Sequence, residues 1–531
     1  MKQASNLSNL GQVLLDSLNK IRQYDQTLES QSRKNTIHVT TVGSRVSVAY
    51  EQLRNASEYA DGSFFRQRSI RRFLKRNLSF HERSSTGDLA LEMLTELTQS
   101  DYVKNDSVSK AQLDTINSHI DRYYSTYWDY AGIESDPQKR RSLQSWTLDV
   151  LSIRCDQMIF PNIRHITFTK LSFNYLYDQV PLEKVMYQNE TVHKEDYPIL
   201  LFIAIQKSIL KLDDIEVRTN LADSYSKDIT DIDEFIRFNR KIDYLIETKS
   251  VQRVGRIVSK HGAVLRFIYS GFFQPESPID TEALSSPERF EMSFRGHIEN
   301  TYRNLTKVID NSIIKSVIFL LLTKSLIGLA IEVPYDLIVL GYIAWVPLII
   351  NLVFPSLFIA STRFTITTPP ISNTDKLTDQ ALEIFFGDPN NAQQIKAPRQ
   401  NQSLIFSTIY ALTFVVALSV VSYILYLLGF SLVQGIIFVI FLSTGAFLSF
   451  RISNQVRELE VRGYSGSSRG LLHDLAYLPF IYLGQQISFR YAKINLMSHI
   501  LDIFIELPLK SFLRIVRRWT NFLSTKRDEI L

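Results

Sequence analysis

The chain of 531 residues holds one cysteine, Cys155. That excludes an intramolecular disulfide framework and a structural zinc site built on paired thiolates. Glycine is sparse from Ser85 to Asn300, and no strand-turn-strand alternation occurs there, which favours helix over sheet. Phosphate-cradling glycine loops, a Gly-x-Ser-x-Gly elbow, His-Glu-x-x-His and calcium-loop spacing are all missing. The nearest glycine-rich stretch, Gly463 to Gly470, lacks the lysine and the preceding strand of a phosphate loop. The nine histidines never fall at i, i+4. Asp213, Asp214, Asp223, Asp228, Asp231 and Asp233 lack the alternate-residue order and turn glycine of a calcium loop. No catalytic, metal-ligating or cofactor-binding residue is assigned, no cofactor is expected, and a membrane-embedded enzyme is the least favoured class. The segment Met1 to Gln31 lacks the apolar core of a secretory signal, and no solenoid-period repeat is present.

The net charge is +5, and the region after Phe450 alone supplies it, with 12 Lys and Arg against 7 Asp and Glu. The rest of the chain sums to zero, so charge gives no reason to expect a nucleic-acid partner.

What is present is apolar length. Leu404 to Phe450 contains no Asp, Glu, Lys or Arg. A helix crossing the hydrocarbon of a bilayer needs about 20 mostly apolar residues, so this stretch is long enough for two, broken at Gly429, Ser431, Gln434 and Gly435. A second stretch, Ile313 to Ala360, reads the same way, with a turn at Glu332 to Asp336 because Pro334 lacks an amide hydrogen. Pro347 and Pro355 are expected to kink the second helix of that pair. Four transmembrane helices follow, at about 313–331, 337–360, 404–428 and 433–450. Lys and Arg lie in the segments between the two pairs and beyond them, and neither proposed outer turn has any. That places both termini and the 361–403 loop in the cytoplasm, at a cell inner membrane.

The remainder reads as helices, so the fold class is all-α. Residues 1–84 hold an amphipathic helix (Leu7, Leu10, Leu14, Leu18, Ile21, Leu28) and a basic one. Residues 85–300 form a helical cytoplasmic domain centred on Pro198 to Leu212. Pro275 to Pro287 is a turn-rich linker, and 451–531 is a basic helical tail with an interfacial C-terminal helix. Within 475–487 the chain is apolar but short, fitting a re-entrant or interfacial helix better than a fifth span. The basic helix around Arg71, Arg72, Lys75 and Arg76 suits either an anionic lipid surface or acidic neighbours within the domain. The same two readings, lipid surface or packing onto the domain, apply to Lys510, Arg514, Arg517, Arg518 and Trp519.

Lys324 falls in the middle of the first apolar helix, where an ionised side chain costs about 2.5 to 3.5 kcal/mol on insertion scales. It is expected to face the bundle interior, a water cavity or an acidic partner, or else to snorkel to the interface from a shallower helix, and Glu332, Asp336 and Asn351 are its polar neighbours. Lys324 and Glu332 then form either a path for an ion or proton, or a structural ion pair. Two function classes remain: a non-enzymatic scaffold or envelope-assembly component, and a transporter or channel. The aromatic run Tyr123, Tyr124, Tyr127, Trp128 and Tyr130, read as surface, favours protein partners or self-association beside the lipid bilayer.

Several stretches carry a family resemblance: Tyr50 to Asn55 with Arg66 to Arg76, Ile203 to Lys211, Thr323-Lys324-Ser325 leading to Glu332 to Tyr335, and Trp519 to Glu529. In these the chain resembles an uncharacterised family of multispanning membrane proteins from small-genome candidate-phylum bacteria. The resemblance implies a bacterial membrane protein and brings no activity or ligand.

Overall fold

A computed structural model describes residues 7–32, 35–39, 62–83, 85–177, 179–180, 193–274, 277–366, 369–387, 404–461 and 477–488, with single positions at 44–45, 47–48, 51, 490 and 519. Among these residues the regular elements are all helical, and the one β pairing is the isolated Thr36–Ser109 bridge. The all-α expectation is met.

Capping residues start many of the helices. Asp136 accepts from the Gln138 amide with Pro137 in the first turn, and Ser109 and Gln112 cap each other reciprocally. The front of the chain packs in two lobes. Helices α2 (Gly62–Asn77), α3 (Leu89–Gln99), α4 (Lys110–Ala131) and α5 (Pro137–Ile159) enclose a core of Ile70, Leu74, Met93, Ile120, Tyr123 and Val150. The second lobe contains α1 (Asn9–Ser32), α6 (Ile163–Tyr177), α7 (Tyr197–Ser208), α8 (Asp214–Ser224), α9 (Ile232–Glu247), α10 (Lys249–His261) and α11 (Ala263–Ile268). Its centre is α7, where Ile199 to Gln206 are all buried, as its continuous apolar sequence requires.

The lobes do not divide where the sequence suggested. Of the described residues in 1–84, those of α1 pack in the second lobe and those of α2 in the first. The described part of the expected linker, 277–287, is packed: Ile279 and Leu284 are buried, and Ser286 caps the next helix with Pro287 at its first turn.

That helix, α12, runs Pro287–Ile327 and continues through π-helical Gly328–Glu332, a turn of α-helix at Val333–Tyr335 and π-helical Asp336–Leu340. Its first part lies in the second lobe through Phe290, Phe294 and Ile298. Its second part joins α13 (Trp345–Thr365) and α16 (Leu432–Arg457) around Ile313, Leu320, Ile359 and Phe441. Pro287–Leu340, Trp345–Phe364 and Leu432–Arg457 are each long and apolar enough to cross a membrane. Helix α15 (Leu404–Leu427) and a helix over 477–488, α17, lean on this bundle through Leu425, Phe438, Leu442 and Phe480. Outward-facing Ile314, Ile318, Leu322, Leu326, Ile349 and Leu357 are exposed.

Two expectations at this end are corrected. The chain does not turn at Glu332 to Asp336; it turns after Leu340, where Gly341 takes a φ of 77° that suits glycine. The π segments on either side of Pro334 widen the helix at the residue that has no amide hydrogen. Pro347 lies in the first turn of α13, where no helical hydrogen bond is lost, and only Pro355 is inside the helix.

Within the loop expected over 361–403, the described residues form α14 (Ile371–Phe386), whose Leu377, Ala381 and Phe385 enter the second lobe. The Ser8 amide donates to the Phe385 carbonyl (2.8 Å) and the Ser8 hydroxyl to that of Ile384 (2.7 Å), which seats the start of α1 on the end of α14.

Candidate functional site

Three apolar helices bring five polar side chains together. Lys324 is 2% exposed, and Glu332, Asp336, Asn351 and Gln434 are 0% exposed. On an unbroken α-helix Lys324 and Glu332 would stand about 80° apart. The π turn Gly328–Glu332 takes an extra residue into the same rotation. Buried positions 313, 316, 320 and 324 are therefore continued by 328, 332 and 336 on one face.

Within the cluster Lys324 Nζ is ion-paired with Glu332 Oε1 and lies 5.0 Å from the centroid of the Phe441 ring. Asn351 Nδ2 donates to Glu332 Oε2 (3.1 Å) and to the Gln434 carbonyl (3.2 Å), joining α12, α13 and α16 at one point. Gln434 Nε2 donates to both oxygens of Asp336 (3.0 and 2.9 Å), and the Ala344 amide adds a third hydrogen bond (3.1 Å). The orientation of Gln434 is fixed by its other end, since Oε1 accepts from the Ser431 amide (3.0 Å) in the capping box that starts α16. All four predicted polar residues are thus gathered in one site. Gln434, read from sequence only as a helix breaker, is the piece that reasoning missed; its place two residues after the apolar helix begins was the available signal.

Toward the other end of the bundle the interior becomes apolar. Leu320, Ile359 and Phe441 pack there, with Gly445 of α16 against Pro355 and Ile359. Further on, Thr362 and Ser449 share a hydrogen bond (2.8 Å) and Arg363 pairs with Asp310 (2.5 Å) at a half-exposed position.

The basic helix α2 turns most of its cations inward. Arg66 pairs with Asp156 (2.5 Å), Arg71 with Asp149 (2.5 Å), Arg72 with Glu51 (3.0 Å) and Arg76 with Glu96 (2.6 Å), while Lys75 is exposed. Of the two readings open to Arg71, Arg72 and Arg76, the geometry is that of acidic neighbours within the domain. Gln67 donates to both Asp156 (3.1 Å) and Glu216 (3.3 Å), across the seam between the lobes. Burial pushes the Asp156 carboxyl above its ordinary range, with Arg66 opposing. Lys510, Arg514, Arg517 and Arg518 lie outside the described residues, and Trp519 is exposed.

The aromatic surface is a correction. Tyr123, Tyr124 and Tyr127 are buried, their rings packed edge-on with Phe80 and Trp128 or bonded to Asp228 and Ser79. The i, i+3/i+4 spacing of these rings is the spacing of a core stripe. Cys155 is also buried, its thiol pushed up to about 12 by burial. Among the described residues no group of three His, Cys, Asp or Glu is placed to hold a metal.

One pairing invisible in sequence is Ser270 with His297, 2.8 Å apart between α12 and the π turn Tyr269–Phe273. Ser270 also bonds the Phe267 carbonyl, so the pair pins that turn to α12. Comparison of the chain with family models, curated proteins and solved structures gives no match.

Proposed function

We propose that the chain is a multi-pass bacterial inner-membrane protein acting as a non-enzymatic scaffold or envelope-assembly component, its helical front half held in the cytoplasm. The observation that carries this reading is the way the front half is locked to the apolar bundle. Helix α12 passes from the second lobe into the bundle without a break over 54 residues. Asn373 of α14 donates to Tyr302 Oη of α12 (2.7 Å) and to the Leu459 carbonyl just past α16 (3.0 Å), and accepts from the Val461 amide (2.8 Å). Lys211 pairs with Glu458 (2.8 Å) and Arg266 donates to the Glu458 carbonyl (2.8 Å). A body so tied suits a platform that fixes partners relative to a membrane. With α12, α13, α15 and α16 as four spans, the turns at 341–344 and 428–431 carry no Lys or Arg, in keeping with an outer position.

Purification from native membranes in mild detergent, with sizing and quantitative mass spectrometry, tests the scaffold. Envelope proteins recovered at fixed ratio, and lost when Asn373→Ala and Arg266→Ala loosen the platform, are expected. Recovery of the chain alone as a symmetric oligomer counts against it.

A second reading, transport, is favoured by the ionisable groups in the bundle, since such residues mark ion pathways in many membrane proteins. The packed layer of Leu320, Ile359 and Phe441 argues the other way. Reconstituted vesicles separate the two: a flux abolished by Lys324→Met with the protein still folded would make transport primary.

A further inference from the structure

We infer that the polar cluster of the bundle binds one monovalent alkali cation beside Asp336 and Asn351. The inference stands on two independent inventories and holds whether the chain is a scaffold or a conduit. The first is charge: with its groups ionised, the cluster holds one cation, Lys324, against two carboxylates, Glu332 and Asp336, all buried. Lys324 is committed to Glu332. Among the described residues Asp336 receives only neutral donors, the Gln434 amide and the Ala344 backbone N–H. One unit of negative charge is left without an opposite charge in an apolar surrounding, where an uncompensated ion is strongly disfavoured.

The second inventory is of hydrogen-bond partners. Asn351 Oδ1 is fully buried and has no donor. Rotating the amide does not cure this, because Nδ2 faces two acceptors, Glu332 Oε2 and the Gln434 carbonyl, which would then meet an oxygen. The site therefore lacks one positive charge and one partner for an oxygen, and a single cation supplies both. A monovalent ion cancels the excess charge, whereas a divalent ion would overshoot it. Its ligands are oxygens, Asn351 Oδ1 with the remaining lone pairs of Asp336 and Glu332, the donor set of a hard cation that has shed water. The π turn Gly328–Glu332 sets both carboxylates on the same face as Lys324, and π bulges recur where helices serve ligands.

The test is thermal unfolding of the purified full chain in detergent at fixed pH and ionic strength, with choline chloride replaced stepwise by LiCl, NaCl or KCl. One of these ions is expected to raise the midpoint saturably, by about 1–3 °C at ten to a hundred times its Kd for a chain of this size. The shift is expected to vanish in Asp336→Asn and in Asn351→Leu and to persist in Lys211→Ala. Should those variants fail to fold, equilibrium binding of radioactive sodium or rubidium to the wild-type chain decides, about one ion per chain being expected. Equal midpoints in choline and all three alkali salts overturn the proposal, as does a shift retained in Asp336→Asn. Stabilisation by magnesium in place of alkali ions, or by acid in choline alone, would assign the position to a divalent ion or a proton and overturn it equally.

Discussion

Lys324 and Glu332 set the energetics of the bundle at the scale of single residues. Two charges removed from water are tolerated because each neutralises the other and Asn351 holds the free carboxylate oxygen. Lys324→Met leaves Glu332 without its cation and is expected to lower stability by about 3–5 kcal/mol, the range for breaking a buried pair. Adding Glu332→Gln keeps an acceptor for Asn351 and is expected to recover most of that loss, measured by unfolding of the purified variants. Single losses that simply sum in the double variant would mean that the pair is not coupled. In the front half, His297 has the opposite character. Burial lowers its pKa from 6.5, so around that value the folded chain binds fewer protons than the unfolded one. The stability it contributes is present above pH 6.5 and is lost as pH falls through that value toward the folded pKa. His119 and His261, lowered by burial and nearby cations, act in the same sense. Asp156 and Asp213, raised by burial, take up protons earlier in the folded chain and act with the opposite sign. The readout is therefore a difference: His297→Gln is expected to lessen the drop in unfolding midpoint between about pH 7.5 and 5.5. An unchanged drop would show that burial does not hold the His297 imidazole neutral.

Among the elements, α17 shows how closely the additional helices fit. A Cβ placed on Gly484 would collide with the Ser443 carbonyl and lie 2.7 Å from Phe447 Cβ, so only glycine permits this approach to the middle of α16. Gly484→Leu is expected to push α17 off α16, separating Tyr477 from the Phe358 ring it stacks on. A bimolecular label pair or a disulfide engineered between α16 and α17 measures it, and undiminished cross-linking would refute the contact. The sequence contained much of the helix pattern but not its seams. Periodicity located α1, α7, α14 and both ends of α15, because a buried stripe or an apolar run is written locally. It misplaced the turn at Pro334, since proline ends a helix when the ladder stays α-helical, and the π segments remove that constraint. It misread Tyr123 to Tyr127 as surface, because which face of a helix is covered depends on partners such as Phe80 that lie far away in sequence. Lys324, Glu332, Asp336 and Asn351 were legible as a group for a different reason: charge in an apolar run has few places to go. The Gln434 contribution needed the third helix.

At the scale of the whole molecule, the long helix α12 is seated in two cores. Helix α12 is packed by Phe290 and Phe294 at one end and by Lys324 and Leu320 at the other, and α14 and the end of α16 brace its middle through Asn373. The proposed topology can be tested by a single experiment, and the chain is suited to it. Its only cysteine is buried, with its thiol pushed up to about 12, so it should stay silent toward maleimide while engineered cysteines report. With four spans and both ends inside, a cysteine at exposed Tyr342 is expected to react with a membrane-impermeant maleimide in intact cells. One at exposed Ile371, at the start of α14, should react only after permeabilisation. The reverse pattern would invert the protein and put the ion-paired front half outside. Labelling of both sites from outside would break the pairing of α12 with α13 as spans, and with it the membrane placement of the Lys324 site. Because α14 is hydrogen-bonded to α1 and to the end of α16, the side on which Ile371 reacts fixes the side of the front half as well.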